Sequence, residues 1–492
     1  MKLTFATGGP AEQLGDARTD LLVLAVPAAI KAWAWPAFDG HLAGDIEAEL
    51  RRQGFSGAAG QAVVVQTHGL IPVPYVLVVG VGDGTGPQPW HQLADLVVRK
   101  GRELKARRAR VALCGDEWPA VALETLAEGL WLASYSFDEL KSKRASRANG
   151  LAEVVVTATR RLPEWTAALK RGHLLAAATC YARNLINWPA AIVTPAYLAA
   201  EARALARTQG VRARVMDERA MARAGMGALL GVAQGSAQAP RFIELVFRPR
   251  GRVRRTVALA GKGVTFDSGG LSLKPADAMQ AQKRDMAGAA AVLGVMSVLR
   301  DLGLPLEVRA YVPATENMPG GRALKPGDVV RAYDGTTIEV LNTDAEGRLI
   351  LADALAYAAE RRPDVLIDLA TLTGTVRTAL GTRYAAVMGT DPALVQALIA
   401  AGKACGENLW ELPLPPEYRS DIESSVADLK NVGEGAAGTI IGGLFLKEFT
   451  GGVPWAHVDF SSTVVTDKGF ACHPRGATGF GVRTVLRYLI SL

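Results

Sequence analysis

Cysteine and histidine are scarce in this sequence, and no long hydrophobic run is present. The chain has 492 residues, of which four are cysteine and six are histidine. The cysteines are widely spaced and form no Cys-x-x-Cys pair, so neither a disulfide framework nor a thiolate zinc site is indicated. No apolar stretch reaches the ~18 residues of a membrane-spanning helix, and the N-terminus lacks the apolar segment of a signal peptide. We therefore expect a cytoplasmic protein without a membrane span.

The overall composition is that of a globular protein with a mild basic bias. Hydrophobic residues make up 49% of the chain and charged residues 21%, which excludes a disordered protein. The formal net charge is +7, which is too small for this length to predict nucleic-acid binding on its own. At roughly 100–200 residues per domain, the length predicts at least two domains.

Short β-rich runs alternate with helix-like segments in the first third of the chain. The runs predict buried strands at 21–26, 62–66, 75–81 and 110–114. Helical spacing predicts helices at 91–110 and 120–132. This alternation is typical of an α/β layer with a largely parallel sheet.

The alternation resumes in the second half, after a helix at 171–186 and another that Pro195 opens. It predicts strands at 257–260, 306–312 and 365–369, helices at 286–299 and 349–359, and a hairpin of 329–333 with 337–341. We therefore predict an α/β protein of two domains. The smaller N-terminal α/β domain comprises residues 1–165, and the larger C-terminal α/β domain, residues 166–492, has a mixed, mostly parallel central sheet flanked by helices.

Three segments of the second domain place carboxylates near strand ends or helix starts. Asp267 follows Lys262 in AGKGVTFDSGG, Asp285 lies in KRDMAG, and Asp344 and Glu346 lie in NTDAEGR. Each segment alone is explained by a turn or a helix cap. If the four carboxylates share one buried space, they need compensation, and two divalent cations (Mg²⁺, Mn²⁺ or Zn²⁺) supply it. Lys262 joins such a site as a neutral amine ligand or, alternatively, as a cation that pairs with the acids.

These segments resemble the M17 leucyl (cytosol) aminopeptidases. Further similar segments follow in the same order: RNLINWPAAIVTP, MGALLGVAQGS, ENMPGG, KPGDVV, TLTGT and WAHVDF. The resemblance covers essentially all of residues 170–492 and is thinner before them, where AEGLWLASYSFDELK is the most similar segment. It implies a metal-dependent, homohexameric aminopeptidase that acts on peptides. Residues 166–492 would then be catalytic, and residues 1–165 would serve assembly or regulation.

The resemblance also implies two divalent ions per subunit, Mn²⁺ or Zn²⁺, and a set of ligands. The residues that would hold the tighter ion are Lys262, Asp267, Asp285 and Glu346. The residues that would hold the more exchangeable ion are Asp267, Asp344 and Glu346. The free α-amino group of the substrate would bind a metal as well, which explains why only the N-terminal residue is removed.

Three further residues are assigned to catalysis by the same resemblance. Lys274 would act as the electrophile that polarises the scissile carbonyl. Arg348 would hold a bicarbonate ion, which would act as the general base on the metal-activated water. The backbone of Leu372 would help to line this anion site.

The pocket for the first substrate side chain departs from the family pattern. Gln282 stands where an apolar residue, commonly Met, is usual, and Ser461 stands in place of an apolar residue after WAHVDF. Thr371 and Gly374, which would line the same pocket, are retained. Because a buried polar group disfavours an apolar partner, we expect broad specificity with weaker selectivity for Leu. The alternative is that Gln282 turns away and selectivity is unchanged.

Two other functions are weighed against this one. Some members of the family also bind DNA, and basic residues are clustered at Arg99, Lys100, Arg102, Lys105, Arg107, Arg108 and Arg110, at Lys141, Lys143, Arg144 and Arg147, and in the five arginines of 248–255. Solvated surfaces explain these clusters better than a DNA groove does, because Lys/Arg-rich helix faces are common and aromatic residues for base stacking are not interleaved with them. A dinuclear phosphoesterase is the second alternative. It is disfavoured because the three acidic segments contain no histidine.

Overall fold

The computed structural model describes residues 1–7, 18–28, 43–114, 118–142, 150–158 and 163–492. Contacts divide the chain into two compact units. The first comprises Met1–Ala177 with Lys468–Arg475, and the second comprises Ala178–Asp467 with Gly476–Leu492. The division falls within helix α4 (Pro163–Asn187). The domain boundary expected at 165/166 lies in the same helix and stays a prediction.

The first unit is built on a six-stranded sheet within the described residues. Its strands are β1 (Lys2–Thr7), β2 (Leu21–Pro27), β3 (Ala62–Gln66), β4 (Tyr75–Gly82), β5 (Arg108–Leu113) and β6 (Glu153–Ala158), and its other helices are α1 (Ala43–Arg52), α2 (Gln88–Glu103) and α3 (Ala120–Ala133). The strand order is β1-β6-β5-β2-β4-β3. All pairs are parallel except β3 with β4, which agrees with the largely parallel sheet predicted here.

The helix predicted at 91–110 is wrong at its C-terminal end. Helix α2 ends at Glu103, and Lys105 adopts a left-handed backbone with a φ of 55°. The carboxylate of Asp20 accepts the backbone N–H groups of Arg107 and Arg108, both at 2.8 Å. This contact, distant in sequence, directs the chain into β5 although the basic residues continue the helical spacing.

The second unit contains a larger mixed sheet. The strands of this unit are β7 (Arg212–Met216), β8 (Arg241–Phe247), β9 (Arg255–Gly261), β10 (Gly263–Asp267), β11 (Leu306–Asn317), β12 (Asp328–Arg331), β13 (Thr337–Val340), β14 (Val365–Ala370), β15 (Tyr384–Gly389), β16 (Asn408–Glu411), β17 (Leu429–Lys430), β18 (Trp455–Asp459), β19 (Val465–Thr466) and β20 (Gly476–Ala477); β12, β13 and β17 form a small separate sheet, and β19 pairs with β20. The main sheet has the order β16-β15-β18-β14-β9-β11-β8-β7, and β10 pairs with β11. Its centre, from β18 to β11, is parallel, so the predicted mixed, mostly parallel sheet is confirmed.

Helices flank this sheet, and their buried residues pack with those of the strands in the hydrophobic core of the second unit. They are α5 (Pro195–Gln209), α6 (Glu218–Ala224), α7 (Gly227–Ala233), α8 (Ala276–Met279), α9 (Ala287–Met296), α10 (Leu299–Leu302), α11 (Glu346–Ala359), α12 (Thr375–Leu380), α13 (Pro392–Cys405), α14 (Gly438–Lys447) and α15 (Val482–Ser491). Helix α11 is buried along its whole length, because it is apolar on nearly every side. The predicted helix 286–299 is interrupted after Met296, and α10 follows as a separate turn.

Helix α9 approaches the sheet closely because its second residue is glycine. An ideal Cβ on Gly288 would lie 2.0 Å from the carbonyl oxygen of Leu369 and 2.7 Å from the backbone nitrogen of Lys262. No side chain fits at these distances. Gly288 therefore lets the start of α9 lie against the carboxyl ends of β9 and β14, next to the acidic segments.

Candidate active site

The carboxyl ends of adjacent parallel strands bring the predicted site residues to one edge of the main sheet. Lys262 directly follows β9, and Thr371 directly follows β14, the neighbouring strand. Asp459 is the last residue of β18, which pairs with β14 on its other side. This edge is where open α/β sheets form their ligand sites.

Three of the four predicted carboxylates form one compact group. Asp267, Asp344 and Glu346 each present an oxygen within 4.8 Å of the other two. Asp267 and Glu346 are only 2% and 1% exposed. Asp285 is also buried but is not part of this group; it is connected to it through Lys262.

Two lysines neutralise part of this negative charge. Lys262 Nζ lies 2.7 Å from Asp285 Oδ2 and 2.9 Å from Glu346 Oε1. Lys274 Nζ lies 2.8 Å from Asp267 Oδ2 and 2.5 Å from Asp344 Oδ1. Each lysine therefore bridges two carboxylates from different segments.

Burial and mutual repulsion disfavour the charged carboxylates. Burial raises the pKa of Asp285 to about 6 against the opposing effect of Lys262. Burial and the charge of Asp267 raise the pKa of Glu346 and of Asp344. Burial lowers the pKa of Lys262, but Asp285 and Glu346 outweigh it, so this pKa lies above its ordinary value. The site is thus a place where additional positive charge is stabilised.

The donor set fits a hard cation. Asp267, Asp344 and Glu346 bring carboxylate oxygens within 4.8 Å of one another. Carboxylate oxygens are the ligands that Mn²⁺ and Mg²⁺ prefer. Among the described residues, no histidine belongs to the acidic group.

Asn317 was not predicted as a site residue, although it lies at the centre of the acidic group. It ends β11, and its Nδ2 donates to Asp267 Oδ1 at 2.9 Å and to the carbonyl oxygen of Thr343 at 3.0 Å. The backbone N–H of Gly269 also donates to Asp267 Oδ1. The sequence signal for Asn317 was its position as a polar residue at the end of a buried strand, within the segment ENMPGG.

Asp459 was also missed, and it holds the segment after β14. Its carboxylate accepts the backbone N–H groups of Leu372 at 3.2 Å and Thr373 at 3.0 Å. The Oγ atom of Ser461 donates to Asp459 Oδ1 at 2.7 Å. Ser461 therefore forms its side-chain hydrogen bond with Asp459, a residue of the segment WAHVDF that directly precedes it.

Arg348 is buried beside this segment. Its Nη1 donates to the carbonyl oxygen of Asn431 at 2.8 Å, while its Nε has no hydrogen-bond partner among the described residues. Burial lowers the pKa of Arg348 to about 10. An ideal Cβ on Gly442 would lie 3.1 Å from Leu372 Cδ2 and 3.5 Å from Arg348 Nη2, so both side chains face this glycine.

Two of the predicted pocket residues, Thr371 and Gln282, lie next to Asp285. Thr371 Oγ1 donates to Asp285 Oδ1 at 2.8 Å. Gln282 is in the short turn before Asp285, and its Nε2 donates to the carbonyl oxygen of Ala278 at 3.0 Å. Gly374 is exposed at the start of α12, and an ideal Cβ there would have no neighbour within 4 Å.

The basic clusters are partly neutralised where the structure describes them. Arg99, Lys100 and Arg108 lie within ion-pair distance of carboxylates. Lys143, Arg144 and Arg147 lie outside the described residues. The DNA-binding hypothesis therefore stays untested.

In the described part of the chain, none of the helices combines the length and the apolar character that a membrane crossing requires.

Two family models match the chain. The model described as cytosol aminopeptidase family, catalytic domain, matches residues 180–486. The model of the N-terminal domain of the same family matches residues 25–144. Together they contain the acidic segments and most of the first unit.

Named relatives match most or nearly all of the chain. A probable cytosol aminopeptidase of Geobacter sulfurreducens is 42% identical over an alignment of 462 residues that covers 92% of each chain. A probable cytosol aminopeptidase of Roseiflexus castenholzii is 39% identical over an alignment of 496 residues that covers 99% of each chain.

Solved structures share the fold over the same length. A mutant of tomato leucine aminopeptidase has a TM-score of 0.89 at 34% identity, covering 100% of this chain and 97% of its own. The bottromycin maturation enzyme BotP in complex with Mn has a TM-score of 0.84 at 38% identity, covering 96% of this chain and 99% of its own. The predicted family and enzyme class are therefore confirmed: the chain belongs to the cytosol aminopeptidase family and is a peptidase-type hydrolase.

Proposed function

We propose that this chain is a two-metal aminopeptidase that hydrolyses the N-terminal residue from peptides. The observation that carries the proposal is the buried group of Asp267, Asp344 and Glu346, whose oxygens lie within 4.8 Å of one another. The similar structure described in complex with Mn supports Mn²⁺ as one of its metals, and an amine ligand also admits Zn²⁺.

The ligands are assigned by segment. We propose that the tighter ion is held by Lys262, Asp267, Asp285 and Glu346. The more exchangeable ion is held by Asp267, Asp344 and Glu346. When bound, the two ions supply the Lewis acidity that activates water and polarises a carbonyl group. Asn317 keeps Asp267 oriented through its 2.9 Å hydrogen bond.

Lys274 is the proposed electrophile. Its side chain is only 15% exposed, and its Nζ is held between two carboxylates. A fixed cation in a poorly solvated site stabilises the negative charge that develops on a scissile carbonyl oxygen. Arg348, whose Nε has no hydrogen-bond partner in the part of the chain that the structure describes, would hold the bicarbonate ion that is the proposed general base, next to the backbone of Leu372.

Specificity is proposed to be broad and less selective for Leu than the family name suggests. Gln282 and Ser461 place polar groups where apolar ones are usual. The amide nitrogen of Gln282 is already satisfied by Ala278, whereas its oxygen is left for a polar substrate group.

The specificity proposal is tested with Leu, Met, Ala, Ser and Arg anilides. We expect Gln282→Met to raise kcat/KM for Leu relative to Ser by about tenfold, because one apolar contact is worth 10–200-fold. A strong preference of the wild-type protein for Leu, unchanged in Gln282→Met, would contradict it.

The two-metal proposal is tested with Glu346→Ala. We expect this change to abolish aminopeptidase activity and to lower the bound Mn²⁺ from two ions per chain, because Glu346 is assigned to both ions. The fold should persist, since removal of one carboxylate from this compact acidic group also removes repulsion. Glu218→Ala, at an exposed position of α6, is the matched control. Turnover that survives both Glu346→Ala and removal of metal would refute the mechanism.

Assembly and location are further proposals. A homohexamer and a cytoplasmic location rest on the family resemblance and on the family description. An additional DNA-binding role through the basic clusters is the alternative, and a gel shift that weakens steeply as salt rises would support it.

A further inference from the structure

A buried pair of charged residues lies next to the proposed anion site and takes no part in the mechanism above. Asp368 on β14 lies opposite His457 on β18 in the sheet register. His457 Nδ1 is 2.5 Å from Asp368 Oδ1, and both residues are 0% exposed. Trp455 Nε1 donates to the other carboxylate oxygen, Asp368 Oδ2, at 2.7 Å. Both oxygens of Asp368 are therefore engaged, and the imidazole ring is fixed.

The second ring nitrogen of His457 has no such partner. His457 Nε2 is buried and makes no hydrogen bond to any of the described residues, and the same is true of Arg348 Nε. A buried donor without an acceptor is unfavourable, because it has lost its hydrogen bonds to water and gained none in the protein. Two unpaired buried nitrogens therefore indicate an acceptor that is not part of the chain.

His457 and Arg348 are on the same side of the sheet. Successive side chains of a strand lie on opposite faces of the sheet. Residues 455, 457 and 459 of β18 therefore share one face, and His457 lies on the same face as Asp459. Helices α11, which carries Arg348, and α14 pack against this part of the sheet. Asp459 in turn holds the backbone of Leu372, the residue proposed to line the anion site.

The charges around His457 favour its protonated form. Burial lowers the pKa of His457, but Asp368 and, more weakly, Asp459 outweigh both burial and the repulsion from Arg348, so the pKa is raised. In the protonated ring Nε2 is a donor. The positive charges of His457 and Arg348 then balance the carboxylates of Asp368 and Asp459. A small anion bound here would have two N–H donors available, His457 Nε2–H and Arg348 Nε–H.

We propose that His457 is a positioning residue of the anion site, in which its Nε2–H group donates to the oxyanion held by Arg348, directly or through one ordered water. The inference rests on the proposed function, which assigns bicarbonate to Arg348. It assigns to Asp368 the role of fixing the imidazole ring, so that Nε2 keeps one direction.

The test uses two substitutions that separate the ring nitrogens. His457→Asn retains a polar group near Nδ1, facing Asp368, and removes the Nε2 donor. His457→Gln places an amide nitrogen near the position of Nε2. His68→Asn is the control, because His68 is exposed and its left-handed backbone, with a φ of 50°, suits asparagine.

Two quantities are measured on the Mn²⁺-loaded full-length protein in bicarbonate-depleted buffer. One is the bicarbonate concentration that half-activates hydrolysis of an aminoacyl anilide. The other is the rise in Tm on bicarbonate addition, with chloride at the same ionic strength as the reference. We expect His457→Asn to raise the half-activating concentration about tenfold or more and to lose most of the Tm rise. His457→Gln and His68→Asn should remain within about threefold of wild type.

The outcomes distinguish the two proposals. If bicarbonate changes neither activity nor Tm of the wild-type protein, the bicarbonate assignment fails and this inference fails with it. If the wild-type protein responds and His457→Asn responds equally, only the role of His457 is refuted. If His457→Asn does not fold, His457→Gln decides: a tenfold loss of bicarbonate affinity in a folded Gln variant overturns the donor role.

Discussion

Gly347→Ala should inactivate the enzyme without unfolding it. Gly347 lies in the first turn of α11, between Glu346 and Arg348. An ideal Cβ on this residue would lie 2.4 Å from Lys262 Cε and 2.7 Å from Lys262 Nζ. The three nearest heavy atoms all belong to the far end of the Lys262 side chain, so we expect the lysine to move while the helix and the sheet remain in place.

The magnitude follows from these distances. Ordinary contact begins at 3.4 Å, so the end of Lys262 must move by about 1 Å, and a misplacement of ~1 Å in a catalytic site costs roughly 10²-fold in rate. The displaced amino group weakens its contacts with Asp285 and Glu346. In the other direction, alanine in place of helical glycine gains up to about 1 kcal/mol. We therefore expect kcat/KM to fall roughly 10²-fold while the unfolding free energy changes by less than about 2 kcal/mol.

The assay is hydrolysis of aminoacyl anilides at saturating Mn²⁺, together with urea unfolding of the same samples. Gly321→Ala is the matched control, since an ideal Cβ there would have no neighbour within 4 Å. Activity of Gly347→Ala within threefold of wild type would refute the argument. A loss of activity that merely parallels a large loss of stability would refute it too, because the clash would then have been absorbed by the fold.

Two further predictions concern stability. Burial raises the pKa of Asp353 to about 8, far above its ordinary 3.8; the folded protein keeps this proton where the unfolded chain loses it, so stability falls as pH rises between these values. Asp353→Asn should remove this pH dependence, so its free energy of unfolding should rise relative to that of wild type by at most about 1.4 kcal/mol per pH unit. If urea unfolding gives the same difference between the two proteins at pH 5 and at pH 7, the prediction is contradicted. Glu407→Ala should cost about 3–5 kcal/mol in the same assay, because it leaves the buried Arg483, 3.2 Å away, without its carboxylate; a loss below about 1 kcal/mol would contradict this.

The sequence was most informative where a local pattern and a tertiary contact require the same residue. The hairpin around Asp334-Gly335 forms as predicted, with Arg331 opposite Thr337, and Gly335 adopts a positive φ of 97°, which favours glycine at this position. The small-residue start of α9 was recognised as suited to close packing, and Gly288 shows how close the packing is.

Local pattern was least informative where a distant residue decides the structure. Nothing near residue 105 indicates that Asp20 will draw Arg107 and Arg108 into a strand. Asn317 and Asp459 likewise act only after folding has placed them beside segments far away in sequence. The separation of Asp285 from the other three carboxylates was equally invisible, because it depends on where Lys262 lies between them.

The balance of charge at the site links the separate proposals. Four carboxylates are met by two lysines in the structure, which leaves two negative charges that one divalent ion neutralises. A second ion would leave the buried site with an excess of two positive charges, and burial opposes such an excess. A neutral Lys262 as metal ligand removes one of these charges, and a bicarbonate ion at Arg348 removes the other. The proposed amine ligand and the proposed bound anion would together restore neutrality once two dications stand among these four carboxylates.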